Sequence, residues 1–147
     1  MTVGIKVVEP KSIEEFESYF QLRWEILRKP WGQPKGSERD KSDSAGFNRM
    51  ALSEKGHPIG VGMLLINSVQ EAQIRFMAVS ENCQGMRVGT LLMDCLESIA
   101  CGHKCSHIIL QSRENAVKFY EKSGFKVVEK SYLLFGEIQH FLMQKNL

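Results

Sequence analysis

A change of hydrophobic period in the middle of the chain constrains its fold more than any other feature. Over residues 72–79 apolar side chains alternate with polar ones, which predicts a strand with one dry face. From Val88 onward the apolar residues recur at the three-and-four spacing of an amphipathic helix. The change takes place across residues 80–87, which contain Gly85. We therefore predict a strand that enters a helix through a glycine-bearing turn.

Such a turn is a candidate anion site. The first N–H groups of a helix lack intrahelical partners and lie at the positive end of its dipole, so a phosphate or pyrophosphate fits there. Glycines also form tight turns without any ligand, so this feature alone leaves both alternatives open. Neither G-x-x-x-x-G-K-[ST] nor G-x-G-x-x-G occurs in the sequence, which excludes the common phosphate-loop and dinucleotide-binding classes.

The remaining patterns predict a mixed sheet with helices on its faces. Ser12 and Glu15 form a capping box before a helix of about four turns. A further helix is predicted at residues 114–122, and residues 28–46 read as a mobile loop with one helical turn. Strands are predicted at residues 4–8, 47–53, 59–67, 107–111, 126–135 and 139–143. The order β-α-β-β-β-α-β-α-β-β combines hairpins with crossovers, so we expect an α/β (α+β) fold with a mostly antiparallel sheet.

The composition narrows the functional classes. The chain has 147 residues, near the usual size of one domain, with 43% hydrophobic and 24% charged residues. A net charge of +2 predicts no basic face for nucleic acid. No apolar run is long enough for a membrane helix and no secretion signal is readable, so we expect no membrane association and a cytoplasmic location. Four clustered cysteines predict reduced thiols rather than a disulfide framework.

Two segments carry a resemblance to a known family. Residues 84–89, QGMRVG, resemble the Q/R-x-x-G-x-G/A acetyl-CoA loop of the GNAT superfamily of N-acyltransferases, and residues 115–125, NAVKFYEKSGF, look like its second cofactor motif. The spacing of the two segments and the order of elements match over nearly the whole chain. The resemblance implies a GNAT-like acyl-CoA N-acyltransferase fold in a single domain over residues 1–147. It also implies acetyl-CoA as acyl donor and direct transfer to the amine of a small-molecule or peptide acceptor. An apolar stripe on the first helix separately suggests a homodimer.

The same resemblance assigns roles to residues. The main chain of Met77 and Val79 would pair with the pantetheine arm like an added strand, and the N–H of Val79 would face the thioester oxygen. Asn115 would hydrogen-bond the arm, and Tyr120 would act as general acid, with a pKa near 10 that matches a departing thiolate. The pyrophosphate would lie on the loop and helix start formed by Gln84, Gly85, Arg87, Val88, Gly89 and Thr90.

Arg87 departs from the pattern, because it stands where the family most often has its middle glycine. An arginine still has the main-chain N–H that would bind phosphate. A positive φ at this position would strain it by roughly 1 kcal/mol or more, whereas a helical conformation would cost little. We expect Arg87 to be helical, since the residues from Val88 onward are.

The general base is left open by the sequence. An amine must lose a proton before it attacks, yet the outward positions of the central strand are Gln73 and Arg75. The candidates are His140, Glu137, Glu114 or an ordered water chain. We favour His140, because its unperturbed pKa of about 6.5 suits the task. A half-buried histidine bonded to a carbonyl explains that residue equally well.

Three further features have structural explanations. Cys101, His103, Cys105 and His107 form C-x-H-x-C-x-H, but alternation across a helix end suits one tetrahedral zinc poorly, so we expect no metal. We expect Cys83 to have a packing role. A second apolar stripe on the first helix, formed by Tyr19, Leu22 and Ile26 and extended by Trp31, would be a dimer surface or an acceptor pocket wall.

Two alternatives to an acetyltransferase follow from the same residues. A non-catalytic acyl-CoA-binding or sensing module would use the loop without a base. A nucleotide-phosphate-binding protein of another class would use the anion site for ATP.

Overall fold

A computed structural model describes residues 4–147. Within that range the chain forms three α-helices, namely α1 (Ile13–Leu27), α2 (Val88–Gly102) and α3 (Val117–Lys122). The seven strands of the same range are β1 (Lys6–Val8), β2 (Phe47–Leu52), β3 (Pro58–Ile66), β4 (Glu71–Val79), β5 (His107–Arg113), β6 (Lys126–Leu134) and β7 (Ile138–Asn146). The predicted order of elements is confirmed.

The strands form one mixed sheet in the order β1-β2-β3-β4-β5-β7-β6. Neighbouring strands pair antiparallel except β4 and β5, which pair parallel. A parallel pair needs a crossover, and α2 supplies it between these two strands. The predicted mixed and mostly antiparallel sheet is therefore correct.

Helix α1 begins as the sequence predicts, and the apolar stripe that we expected at a surface or in a pocket wall is buried. The Ser12 hydroxyl accepts the N–H of Glu15 at 3.1 Å, and the Glu15 carboxylate accepts the N–H of Ser12 at 2.9 Å. Tyr19 and Leu22 lie in the core against β3 and β4. The stripe that we assigned to a dimer surface or an acceptor pocket is thus core, because α1 packs on the sheet through it.

Helix α2 packs closely on β3 because two strand residues there lack side chains. A Cβ at Gly60 would lie 2.8 Å from Val88, and one at Gly62 would lie 3.1 Å from Leu96. Val88 and Leu96 are buried at this contact. The approach fixes the start of α2 next to the end of β4. No helix within residues 4–147 is long and apolar enough to cross a membrane.

The loop after α1 is fastened by a buried arginine that the sequence analysis did not single out. The loop contains two 3-10 turns, Lys29–Trp31 and Lys41–Ser44, rather than the one turn predicted. The guanidinium of Arg23 is fully buried and donates to the Asp43 carboxylate at 2.8 Å. The same group lies 4.0 Å over the ring of Phe76 in β4. Arg23 therefore ties the loop to the centre of the sheet.

Candidate active site

A bulge bends β4 in its second half. Val61 pairs with Ala78 and Met63 with Arg75, so β4 has one residue more than β3 between these pairs. Phe76 lies in the extra stretch with a φ of 55°. A bulge of this kind increases the local twist of its strand. It therefore redirects β4 just before the glycine-bearing turn.

The two parallel strands separate at the same level. Their ladder ends at the pair Ile74–Leu110, while β4 continues to Val79 and β5 to Arg113. A cleft of about 480 Å³ opens there, bordered by the end of α1, by β4 and β5, by α3 and by the β6–β7 hairpin. Met77, Tyr120 and His140 all line it. The fold thus places Met77, Tyr120 and His140, three of the predicted site residues, around one cleft.

Main-chain groups of β4 face this gap. The N–H of Ser80 donates to the carbonyl of Ile59 in β3 at 2.8 Å. Backbone groups of successive residues in a strand point to opposite sides, so the N–H and carbonyl of Val79 point away from β3. The amide of Gln84 donates to that carbonyl at 3.4 Å. The end of β4 therefore has an edge on which an extended chain could pair.

The turn that follows β4 presents N–H groups at the start of α2. Gly85 has a φ of 86°, and no side chain caps the N-terminus of the helix. The N–H groups of Val88, Gly89 and Thr90 lie in the first turn, where α-helices have no intrahelical acceptor. Residues 84–87 are exposed. This geometry is suited to a phosphate or pyrophosphate.

The expectation that Arg87 is helical is wrong. Arg87 is the N-cap of α2 and lies in the left-handed region, with a φ of 66° and a ψ of 15°. The chain must reverse direction between the end of β4 and α2, and consecutive residues of changing handedness achieve this while turning their N–H groups to one side. Arg87 therefore adopts a conformation that glycine would adopt without strain.

Gly89 allows the start of α2 to approach α3 closely. A Cβ at Gly89 would lie 2.9 Å from Cζ of Phe119, closer than side chains normally approach. Phe119 in turn lies next to Tyr120, with the ring centroids 5.1 Å apart. The close contact between Gly89 and Phe119 therefore fixes the position of Tyr120 relative to the start of α2.

Tyr120 lines the cleft from α3 and is almost completely buried, at 7% exposure. Within residues 4–147, burial and the charge of Arg113 act on its hydroxyl, and no hydrogen bond contributes. Burial raises its pKa well above the usual 10, and the charge of Arg113 opposes this only in part. The folded protein therefore does not keep the pKa match to a thiolate that we predicted for an unperturbed phenol. The phenol is protonated at physiological pH.

His140 lies in β7, where it pairs with Arg113 of β5, and it is 4% exposed. Its Nδ1 lies 3.0 Å from the carbonyl oxygen of Ile138. A carbonyl only accepts, so Nδ1 has the hydrogen and Nε2 is left as the acceptor. Burial lowers the pKa of His140 below 6.5, and the nearby charges of Arg113 and Arg28 lower it further. The imidazole is therefore neutral at pH 7.

The other predicted residues are more exposed. Asn115 lies in the 3-10 turn Glu114–Ala116, whose last residue borders the cleft. Glu114 and Glu137 are exposed, and among residues 4–147 no Asp or Glu side chain lines the cleft. Of the candidate bases that we named, His140 is the residue that borders it.

Sequence reasoning missed the positive charge of this cleft. Arg28 at the end of α1, Arg75 in β4 and Arg113 at the end of β5 all line it. These residues are far apart in the sequence and belong to no common motif. Arg113, a charged residue at the end of a buried strand, could have indicated this charge in the sequence. Ligands of open sheets bind beyond the ends of strands, so a charged residue there is a candidate contact.

The histidines and cysteines of C-x-H-x-C-x-H have other contacts. Nε2 of His107 lies 3.0 Å from the Glu71 carboxylate, and Nδ1 of His103 lies 2.9 Å from the carbonyl of Ile99. Cys105 is buried in the core, and Cys83 packs beside Val88. Over the described part of the chain, no three such side chains form a group that could hold a metal ion.

Comparison with known proteins agrees with this geometry. The model of the acetyltransferase (GNAT) family matches residues 16–125. The uncharacterized N-acetyltransferase YjcF of Bacillus subtilis (strain 168) is 25% identical over 142 residues, which cover 97% of this chain and all of YjcF. Two solved structures share the fold, a putative N-acetyltransferase from Lactobacillus plantarum and a GNAT family acetyltransferase from Elizabethkingia anophelis with acetyl-CoA bound.

The Lactobacillus structure has a TM-score of 0.84 at 19% identity and covers 98% of this chain and 99% of its own. The Elizabethkingia structure has a TM-score of 0.73 at 16% identity and covers 99% of both chains. The family match spans most of the chain, including the bulged strand, the start of α2 and Tyr120. The chain therefore belongs to the GNAT family of acetyltransferases.

Proposed function

We propose that this protein transfers the acetyl group of acetyl-CoA to an amine of an acceptor bound in the cleft. The observation that carries the proposal is the gap between β4 and β5 beyond the pair Ile74–Leu110. That gap has a strand edge on one side, helix N–H groups at one end and Tyr120 and His140 on its walls. Family membership supports acetyl transfer in general, and the amine acceptor is our inference from the cleft.

The residues present fit acetyl-CoA. The main chain of Met77 and Val79 would bind the pantetheine arm as an added strand, and the N–H groups from Gly85 to Thr90 would bind the pyrophosphate. Bound acetyl-CoA supplies a thioester whose carbonyl carbon accepts the amine and whose thiolate leaves. Asn115 remains a predicted contact of the arm.

Two side chains would handle the protons. Nε2 of His140 is unprotonated at pH 7 and would accept a proton from the acceptor ammonium. The hydroxyl of Tyr120 keeps its proton and would donate a hydrogen bond and then the proton toward the leaving sulfur. The arginines of the cleft favour the neutral amine, because positive charge lowers the pKa of a nearby ammonium, although the same charges also lower the pKa of His140.

Thiol release tests the proposal. Purified protein is incubated with acetyl-CoA and a broad panel of amines, and free CoA is measured together with acetylated product. We expect release that depends on the amine and product in equal amount. Binding of CoA without release for every amine would support an acyl-CoA-sensing module instead.

A thermal-shift experiment separates the remaining alternative. A ligand present at 100 times its Kd stabilises a protein by about 2.7 kcal/mol. We expect CoA to raise the melting temperature and ATP to leave it unchanged. Stabilisation by ATP and none by CoA would contradict the proposal and favour a nucleotide-phosphate-binding protein.

A cytoplasmic location and a homodimer stay predictions. Cys83, Cys95, Cys101 and Cys105 are all free, which agrees with a reducing compartment. Cell fractionation tests the location, and light scattering of the purified protein tests the homodimer.

A further inference from the structure

Two arginine side chains of the cleft meet at one carbonyl oxygen. Nη1 of Arg28 donates to the carbonyl of Leu27 at 3.1 Å, and Nη2 of Arg113 donates to the same oxygen at 3.0 Å. The two nitrogens are therefore at most about 6 Å apart. Bringing two cations this close is unfavourable unless something offsets their repulsion.

Other side chains hold both guanidinium groups in place. The Arg113 guanidinium lies 4.5 Å over the ring of Trp31, and the Arg28 guanidinium lies 5.5 Å from the ring of Phe135. Nε of Arg28 also donates to the carbonyl of Ser37 at 3.2 Å. The aromatic rings and carbonyls orient the two cations without neutralising them.

Neither cation has a carboxylate partner. Arg75, the third arginine of the cleft, forms an ion pair with Asp40 at 2.9 Å. In the described range, 4–147, Arg28 and Arg113 form no ion pair, and no acidic side chain lines the cleft beside them. Burial lowers the pKa of both groups, and the charge of Arg28 contributes to the shift at Arg113. Both guanidinium groups are half-buried, and the charge of Glu38 acts on Arg28 without forming an ion pair. Two half-buried cations this close, with no carboxylate bonded to either, repel each other.

An oxyanion would complete this arrangement. A carboxylate or phosphate can accept hydrogen bonds from two guanidinium groups at once, and guanidinium forks match the geometry of both anions. Donors remain for such a contact, because each guanidinium offers five N–H groups and the contacts above use only some of them. The cleft that contains Arg28 and Arg113 also contains His140 and Tyr120.

Resting on the function proposed above, we propose that the acceptor is an amine that also bears a carboxylate or phosphate, and that Arg28 and Arg113 bind this anionic group. The acidic group neutralises the cations while the amine lies near His140. Cationic polyamines and acceptors with several ammonium groups are disfavoured by the same charges.

Matched pairs of amines test this proposal. One pair is β-alanine and 3-aminopropanol, which differ in the carboxylate, and the other is 2-aminoethyl phosphate and 2-aminoethanol, which differ in the phosphate. Binding of each amine is measured by calorimetry in the presence of millimolar CoA. Because CoA would then occupy the N-terminus of α2, the measured affinity reports binding at the two arginines. We expect the anionic member of at least one pair to bind about tenfold or more tightly than its uncharged partner.

Variants assign the preference to the two arginines. In Arg28→Met and in Arg113→Met, the ratio of the affinities for the anionic and the uncharged amine should fall close to one. Arg28→Lys and Arg113→Lys should retain part of this preference. Arg49→Met is the matched control, since Arg49 is also half-buried but lies outside the cleft. Far-UV circular dichroism and the melting temperature verify that each variant is folded.

The outcomes are distinct. Equal binding within both pairs, no binding by any of the four amines, a preference unchanged in both Met variants, or a preference lost in Arg49→Met would each overturn the anionic acceptor. Thiol release from acetyl-CoA is recorded for the same amines. Release that favours uncharged amines would contradict the anionic acceptor and leave acetyl transfer intact. An anion preference with no release from these four amines or from any amine of the broad panel would support the anion site and contradict the proposed function.

Discussion

The imidazole of His140 stacks on the ring of Tyr132, with the ring centroids 4.5 Å apart and the planes inclined by 17°. The stacking and the bond from Nδ1 to Ile138 together fix the orientation of the imidazole. Nε2 is therefore the nitrogen that can accept a proton, as a general base requires. The carbonyl bond is the feature that we expected of a purely structural histidine, and here it also selects the tautomer that a base needs.

Replacing His140 should remove the acid limb of the pH profile. In His140→Asn the amide can still donate to Ile138, but the accepting nitrogen is lost. We expect kcat/KM at pH 7 to fall about 10²-fold or more. In the wild type kcat/KM should decline as the pH falls through the lowered pKa of His140, below 6.5. A variant that keeps wild-type turnover and the same acid limb would show that His140 is not the base.

The same histidine makes stability depend on pH. Its pKa is lowered in the folded protein, so below pH 6.5 the unfolded chain binds a proton that the folded chain does not. The free energy of unfolding should therefore decrease as the pH falls from 6.5 toward the folded-state pKa. Urea unfolding at several pH values measures this decrease, and His140→Asn should show a smaller one. An equal decrease in both proteins would assign it to other groups.

Tyr120 can be tested without disturbing the core. The ring packs edge to face against Phe125, with the centroids 6.1 Å apart, and phenylalanine keeps this packing. Tyr120→Phe should lower kcat about 10²-fold, because the proton donor to the thiolate is lost, and leave the melting temperature nearly unchanged.

Tyr19→Phe provides the converse control. The Tyr19 hydroxyl is buried outside the cleft and donates to Asn48 at 2.8 Å. The same hydroxyl accepts from Nη2 of the buried Arg23 at 3.0 Å, so its removal leaves a charged donor without this partner. The substitution should cost about 1–3 kcal/mol of stability with little change in kcat. Undiminished turnover in Tyr120→Phe would remove the acid assignment.

Periodicity predicted the ten elements because each helix or strand buries one face on the same core. Boundaries were less predictable, as β7 shows. Its predicted end was residue 143, but Gln144 and Lys145 continue to pair with Ile109 and Ile108 of β5. Main-chain pairing does not require apolar side chains, so a hydrophobic pattern underestimates such a strand.

The cleft could be predicted from the sequence less well than the fold. The predicted acetyl-CoA loop is a local feature, so a short sequence motif is enough to propose it. The cleft depends on a bulge at Phe76 and on the point where β4 separates from β5. Phe76 also contacts Arg23, a residue far away in the sequence. Arg28 and Arg113 donate to the same carbonyl oxygen although they are 85 positions apart in the sequence. No local pattern predicts such contacts.

Gly89 and Gly102 offer a matched test of the α2 contact. Both lie in α2, where alanine is usually favoured over glycine by about 1 kcal/mol. A Cβ at Gly102 would meet nothing within 4 Å, whereas one at Gly89 would lie 2.9 Å from Phe119. Gly102→Ala should raise the melting temperature, and Gly89→Ala should cost about 1–3 kcal/mol and raise the KM for acetyl-CoA. Similar effects of the two substitutions would show that α3 adjusts freely.

The left-handed conformation of Arg87 predicts an unusual order of stability between two variants. Arg87→Ala and Arg87→Gly both remove the guanidinium, so they differ only in the Cβ. In a helix the alanine variant would be more stable by about 1 kcal/mol. At a φ of 66° the Cβ is strained instead, by about 1–2 kcal/mol, and this exceeds the entropy that glycine loses on folding. We therefore expect the glycine variant to unfold at the higher urea concentration, and the reverse order would contradict the left-handed N-cap.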